Sequence, residues 1–227
     1  WSPDGSFIAF RGYVSANDIF KISPNGTNKI NLTNNYTSPY EPMWSPDGSK
    51  IAFAGSPDGI HSYVYTMNSD GTNKQNLTSA SPDLNPGFLH CWTANSSKIL
   101  FSGGFDSARD LYFIDSDGTD LLHLEIDSLY EADALLSYDD LKIYFAGSTQ
   151  FYWCIYSVNS TGTGIVNLTG RIGINHHPVP SPDGSLIAFN SYRAGEDALY
   201  LMSSDGSNQE KLSGPGVSSS GFGWSTD

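Results

Sequence analysis

Glu41, Asp133 and His177 fall at corresponding positions of three stretches that otherwise share one residue pattern. Tyr40, His90 and His176 stand one position away in their own stretches. Carboxylates and imidazoles move protons near neutral pH, and together they suit zinc or manganese. Gathered in one place, these groups would serve a metal-assisted lyase or hydrolase. Two features oppose that reading. Each ligand comes from a different stretch, and the adjacent His176 and His177 point to opposite faces of an extended strand. A polar, solvated rim is the plainer account, and a contact surface for a basic segment of a partner lies between the two.

Other chemistry is sparse. Asp115-Ser-Asp-Gly-Thr-Asp120 spaces Asp115, Asp117 and Asp120 as a calcium loop begins. A calcium loop also needs a distal bidentate Glu. The same slot elsewhere holds Pro24-Asn-Gly26 and Ser160-Thr-Gly162, so a turn is expected and no cofactor. The sequence has no Gly-x-Ser-x-Gly elbow, phosphate loop, dinucleotide fingerprint or His-Glu-x-x-His. Cys91 and Cys154 fall on non-neighbouring strands and read as two small buried hydrophobes.

Seven Asn-x-Ser/Thr sequons occur, at Asn25, Asn31, Asn35, Asn76, Asn95, Asn159 and Asn167. Each is a candidate N-glycan site if the protein is secreted. Asn31, Asn76 and Asn167 share one position, each directly before a Leu-Thr pair.

The elements that must position these residues come from a repeat. The landmark is Trp1-Ser-Pro-Asp-Gly5 and Trp44-Ser-Pro-Asp-Gly48, weaker at Trp92, Leu136 and Pro180, with a last Trp-Ser at Trp224. The starts lie 43, 48, 44, 44 and 44 residues apart. Nine residues after each of the first five comes a Phe: Phe10, Phe53, Phe101, Phe145 and Phe189. Then comes a turn Gly (Gly26, Gly71, Gly118, Gly162, Gly206), and six residues later a Leu (Leu32, Leu77, Leu124, Leu168, Leu212). Each unit holds four apolar segments separated by turn signals such as Ser-Asp-Gly. In the second segment apolar residues occupy both parities, so its sheet is covered on both faces. Four antiparallel strands repeated in this way predict an all-β chain and a β-propeller.

The pattern Trp-Ser-Pro-Asp-Gly, Ile-Ala-Phe, Asp-Gly-Thr-Asn and Leu-Thr resembles the TolB-like propeller repeat over essentially the whole chain. Five blades of four strands are expected, the tail Val217 to Trp224 supplying the strand the first blade lacks. The alternative is five-sixths of a six-bladed ring. One domain, 1–227, is expected, excised from a longer chain. The six ionisable and aromatic residues above then line the mouth of the central channel. The resemblance implies a non-catalytic protein-interaction or scaffold module outside the cytoplasm, periplasmic, cell-surface or secreted. A gating propeller of a prolyl-oligopeptidase-type peptidase is the alternative, with a hydrolase domain alongside.

Charge narrows the partners. Eleven Lys and Arg against 24 Asp and Glu give a formal net charge of −13. That field repels phosphate, so nucleic acid and anionic membrane are poor partners and a basic protein or peptide is favoured. No apolar run approaches a membrane span.

Overall fold

The structure is a computed structural model describing residues 1–104, 109–126, 130–149, 152–193, 195–213 and 222–225, with backbone alone at Tyr130, Glu131 and Thr149. Regular structure there is strand, apart from one short 3-10 turn at Pro82–Leu84. The first sheet is β1 (Ile8–Tyr13), β2 (Asn17–Ile22) and β3 (Ile30–Asn31). The second is β4 (Pro39–Trp44), β5 (Lys50–Gly55), β6 (Tyr63–Asn68) and β7 (Gln75–Asn76). The third is β8 (Phe88–Trp92), β9 (Lys98–Gly103), β10 (Asp110–Asp115) and β11 (Leu122–Leu124). The fourth is β12 (Tyr130–Leu136), β13 (Lys142–Thr149), β14 (Tyr152–Asn159) and β15 (Val166–Asn167). The fifth is β16 (Ile174–Pro180), β17 (Leu186–Arg193), β18 (Glu196–Ser203) and β19 (Glu210–Lys211). Each sheet pairs its strands in chain order. Five antiparallel sheets of one topology are the blades of a β-propeller.

Two compact units make up the chain: Trp1–Asp106 with Leu111–His123, and Ser107–Asp110 with Leu124–Asp227. Within each, the repeat has a packing reason. Phe53, Phe101, Phe145 and Phe189 are fully buried. Each packs on an aromatic of the next strand, Tyr65, Tyr112, Tyr156 and Tyr200, at centroid separations of 5.2, 5.5, 5.5 and 5.7 Å, the first three stacked and the last tilted. Burial of one such ring contributes about 1.5–3 kcal/mol. In the first unit Leu32 lies against Gly71 and Leu77 against Gly118; in the second, Leu124 lies against Gly162 and Leu168 against Gly206. The outer-strand Leu of one sheet is thus covered by the turn Gly of the next, which is why the two recur together.

The first and last sheets depart from the expectation. The first has three strands among the described residues, and its β1 is only partly buried where β5 and β9 are buried almost throughout. The tail expected to complete it lies mostly outside the described residues, and Phe222–Ser225 form no strand. Leu212, six residues after Gly206 like its counterparts, is 53% exposed, and among the described residues no turn Gly lies against it.

The landmark is also explained. In every sheet the Ser or Thr hydroxyl donates to the carboxylate or amide oxygen two residues on: Ser2 to Asp4, Ser45 to Asp47, Thr93 to Asn95, Ser137 to Asp139 and Ser181 to Asp183. The same oxygen accepts the N–H two residues further along. Landmark Trp1 is exposed, but two later tryptophans reach the preceding sheet. Trp92 Nε1 donates to Met43 O at 3.1 Å, and Trp224 Nε1 to Val179 O at 3.0 Å. Trp44 Nε1 is buried without a partner.

Candidate functional site

The first strands carry the candidate residues, and each first strand with a described pairing is bulged. The register of β4 on β5 slips between Tyr40 and Met43, that of β12 on β13 between Ala132 and Leu135, and that of β16 on β17 between His176 and Val179. At the slips Glu41, Asp133 and His177 adopt φ of +51°, +53° and +51°. Left-handed backbone at a non-glycine residue costs about 1–2 kcal/mol, so the surroundings must hold it. β8 slips between Leu89 and Cys91, around His90.

At two of the slips the acidic side chain reaches the bulged strand of the next sheet. In the first unit Glu41 Oε2 accepts the Leu89 N–H at 3.1 Å, joining the second sheet to the third. In the second unit Asp133 Oδ2 accepts the His177 N–H at 3.4 Å, joining the fourth sheet to the fifth. The His177 ring then lies 3.7 Å from Asp133 Oδ1 through Nε2. Each carboxylate acts as an acceptor for a backbone donor that the bulge turns away from its own ladder.

The remaining candidates sit nearby. Tyr40 Oη meets Ser62 Oγ at 2.7 Å. His176 stacks obliquely on Trp153 at 5.2 Å and lies 6.1 Å from His177. Burial lowers the His176 pKa, opposed by the charge of Asp133. So the structure brings Asp133, His176 and His177 together in one unit, and Tyr40 and Glu41 in the other. No three His, Cys, Asp or Glu side chains converge to hold a metal ion among the described residues. In the calcium-like turn, Asp115 pairs with Lys98 and Asp117 accepts both Thr119 N–H and Oγ1–H. Neither Cys91 nor Cys154 forms a disulfide; Cys154 is buried and Cys91 half-buried.

The sequons divide by what their atoms do. Thr33, Thr78 and Thr169 are buried, and their Oγ1 atoms accept the N–H groups of Ile19, Val64 and Ile155 at 2.9, 3.1 and 3.0 Å. Ser213 does the same for Leu199. The Leu-Thr recurrence therefore satisfies the third strand where the two-residue outer strand ends. Asn31 Nδ2 donates to Asp18 and Asn76 Nδ2 to Tyr65 Oη, while Asn167 Oδ1 accepts Gly170 N–H. Asn25 and Asn95 are exposed and use only Oδ1, for Thr27 and for Thr93 and Ser97. Asn159 Nδ2 reaches Thr163, and the Asn35 N–H donates to Asp18.

Sequence reasoning missed two features. Trp153 shelters His176, a contact without a local spacing signal. Asp58 accepts from His61 Nδ1 at 2.7 Å in the loop after β5, a pair whose i, i+3 spacing was legible. It also missed how firmly the turn acids are ionised. Asp4 and Asp183 are lowered to about 2, chiefly by the hydroxyls of Ser2 and Ser181. Asp47, Asp70, Asp117, Asp139 and Asp205 shift the same way, each first through a Ser or Thr hydroxyl.

The chain resembles known proteins in this architecture. It is 41% identical over 58 residues to the Tol-Pal system protein TolB of Geobacter sulfurreducens, a match covering 26% of the chain and 13% of that relative. It is 26% identical to an uncharacterized protein of Agrobacterium fabrum, over 93% of the chain and 74% of the relative. A putative TolB from Agrobacterium tumefaciens superposes with a TM-score of 0.75 at 23% identity, covering 93% of the chain and 78% of that structure. The fold is a TolB-like β-propeller. Enzymes share it too: an oligogalacturonate lyase from Vibrio parahaemolyticus has a TM-score of 0.75 at 13% identity, with 93% and 63% covered. No protein-family model matches the chain.

Proposed function

We propose that this propeller is a non-catalytic interaction module that binds a basic segment of a protein partner outside the cytoplasm. The observation that carries the reading is the turn end of the sheets. The turns joining first to second and third to fourth strands lie at one end of an antiparallel sheet. There Asp4, Asp47, Asp70, Asp117, Asp139, Asp183 and Asp205 are held ionised by neighbouring hydroxyls. With a net charge of −13, this is a field that attracts cations. In this reading Glu41 and Asp133 fasten neighbouring sheets, and in each unit the contact surface is the acidic turn end of its own sheets. The TolB-like resemblance supports both the interaction role and the extracytoplasmic location. Asn25 and Asn95, with exposed and unengaged Nδ2 atoms, are the sequons best placed for a glycan there.

The test is anisotropy of a fluorescent 12-residue Lys-Ser peptide, against a Glu-Ser control. Binding is expected at low salt and falls as screening rises. The triple change Asp70→Asn, Asp117→Asn, Asp205→Asn keeps the turn, because Asn25 already makes the same bonds to Thr27 in the first sheet. It should weaken binding by roughly 3–10-fold at low ionic strength. Equal binding by the triple variant, or none by the wild type, refutes the proposal.

A further inference from the structure

Between the fourth and fifth sheets, at the turn end of the second unit, lies a cleft of about 260 Å³. Its wall includes Tyr144, whose side chain has no counterpart in the repeat: Ala9, Ala52, Leu100 and Ala188 hold that place elsewhere. Tyr144 is 3% exposed, packed with Ile187 and Met202. Among the described residues its hydroxyl meets no hydrogen-bonding partner, and burial raises its pKa, with Asp139 adding to the rise. A hydroxyl on a cleft wall with no protein partner is available to a bound ligand as both donor and acceptor.

Other polar groups lining the cleft keep hydrogen-bonding capacity too. Asp139 spends only Oδ1, on Ser137 and Leu141. Asp4, Asp47 and Asp183 engage both oxygens, because Ser6, Ser49 and Ser185 stand where the fourth sheet has Leu141. Lys142 and Ser204 also line the cleft with no side-chain hydrogen bond among the described residues, and the exposed ring of Tyr138 stands at its wall. The matching cleft of the first unit, about 270 Å³, is different. There Lys21 donates to Ser69 O and Asp4 is saturated.

We propose that the cleft bounded by Tyr138, Asp139, Lys142, Tyr144, Asp183 and Ser204 binds a neutral polyhydroxylated ligand the size of one hexose. The volume is too large for one or two ordered waters. The polar groups mix signs: an open carboxylate oxygen, an ammonium, and hydroxyls that both donate and accept. An ammonium ligand would meet Lys142, and an anion would meet two carboxylates. Vicinal hydroxyls, each donor and acceptor, satisfy all of them at once. The Tyr138 ring offers an apolar face for the C–H side of a sugar.

The test is saturation-transfer NMR on the full chain with glucose, galactose, mannose and N-acetylglucosamine in turn, each at millimolar concentration. Transfer to at least one hexose is expected. Tyr144→Phe should weaken it at least tenfold while leaving the melting temperature unchanged, since the hydroxyl has no partner to lose. Asp139→Asn should fold, because Asn95 makes the same turn bonds in the third sheet, and should also weaken binding. Putrescine should not displace the sugar. No transfer with any of the four sugars, transfer unchanged by Tyr144→Phe, displacement by putrescine, or a lowered melting temperature for Tyr144→Phe would each overturn the proposal.

Discussion

Gly71→Ala against Gly26→Ala separates backbone strain from sheet interlocking. Both glycines close the same hairpin turn, at φ +88° and +85°. Both alanines therefore carry the left-handed cost of about 1–2 kcal/mol. Their surroundings differ. A Cβ at Gly26 meets nothing within 4 Å, whereas at Gly71 it would lie 2.9 Å from Leu32 O and 3.1 Å from Leu32 Cα. Those are backbone atoms of the preceding sheet, so no rotamer change relieves the clash. Forcing the two sheets apart there adds about 1–3 kcal/mol. Gly71→Ala is thus expected to lose about 2–5 kcal/mol and Gly26→Ala about 1–2 kcal/mol. Equilibrium urea unfolding followed by tryptophan fluorescence measures both. Leu32→Ala should not rescue Gly71→Ala, because trimming the side chain leaves the clashing atoms in place. Equal losses at the two glycines would refute the interlocking of outer-strand Leu and turn Gly.

Three further outcomes follow from the same contacts. Thr78→Val leaves the buried Val64 N–H without an acceptor and should cost about 1–3 kcal/mol in urea unfolding, while Thr78→Ser, the arrangement Ser213 already uses, should cost less. Trp92→Phe removes the bond to Met43 O and should destabilise more than Trp44→Phe, whose indole N–H has no partner to lose; thermal melts compare them. Asp4 and Asp183 titrate near 2 when folded, against an ordinary carboxylate near 4 when unfolded, so their stabilisation is complete above about pH 4. It is lost as pH falls toward 2, and the urea midpoint should drop over that window, less steeply in Asp4→Asn with Asp183→Asn.

The sheets were legible because their determinants are periodic. Phe53 and its counterparts, Gly71 against Leu32 and the Ser-Asp turns recur for one packing reason each, so spacing alone exposed them. The bulges were not legible. Glu41, Asp133 and His177 carry no preference for positive φ that a sequence would advertise, and their acceptor role depends on a backbone donor in another sheet. The sequence therefore marked positions that lie at register slips and left open what they do. Leu212 shows the converse limit: its spacing is that of an inward residue, but burial needs a neighbour as well as a pattern. Tyr144 was visible as the one large polar side chain in a slot of Ala and Leu, though only the structure shows the cleft it faces.

The claim on which the account turns is that the first-strand carboxylates fasten one sheet to the next. Amide hydrogen exchange at Leu89 tests it most directly, in wild type, Glu41→Gln and Glu41→Ala. Leu89 should be protected in wild type and in Glu41→Gln, whose amide oxygen still accepts. In Glu41→Ala its exchange should accelerate about tenfold, equivalent to about 1.4 kcal/mol for one lost hydrogen bond, with the core amide of Phe53 unchanged. An unprotected Leu89 in wild type, or one indifferent to Glu41→Ala, would contradict it.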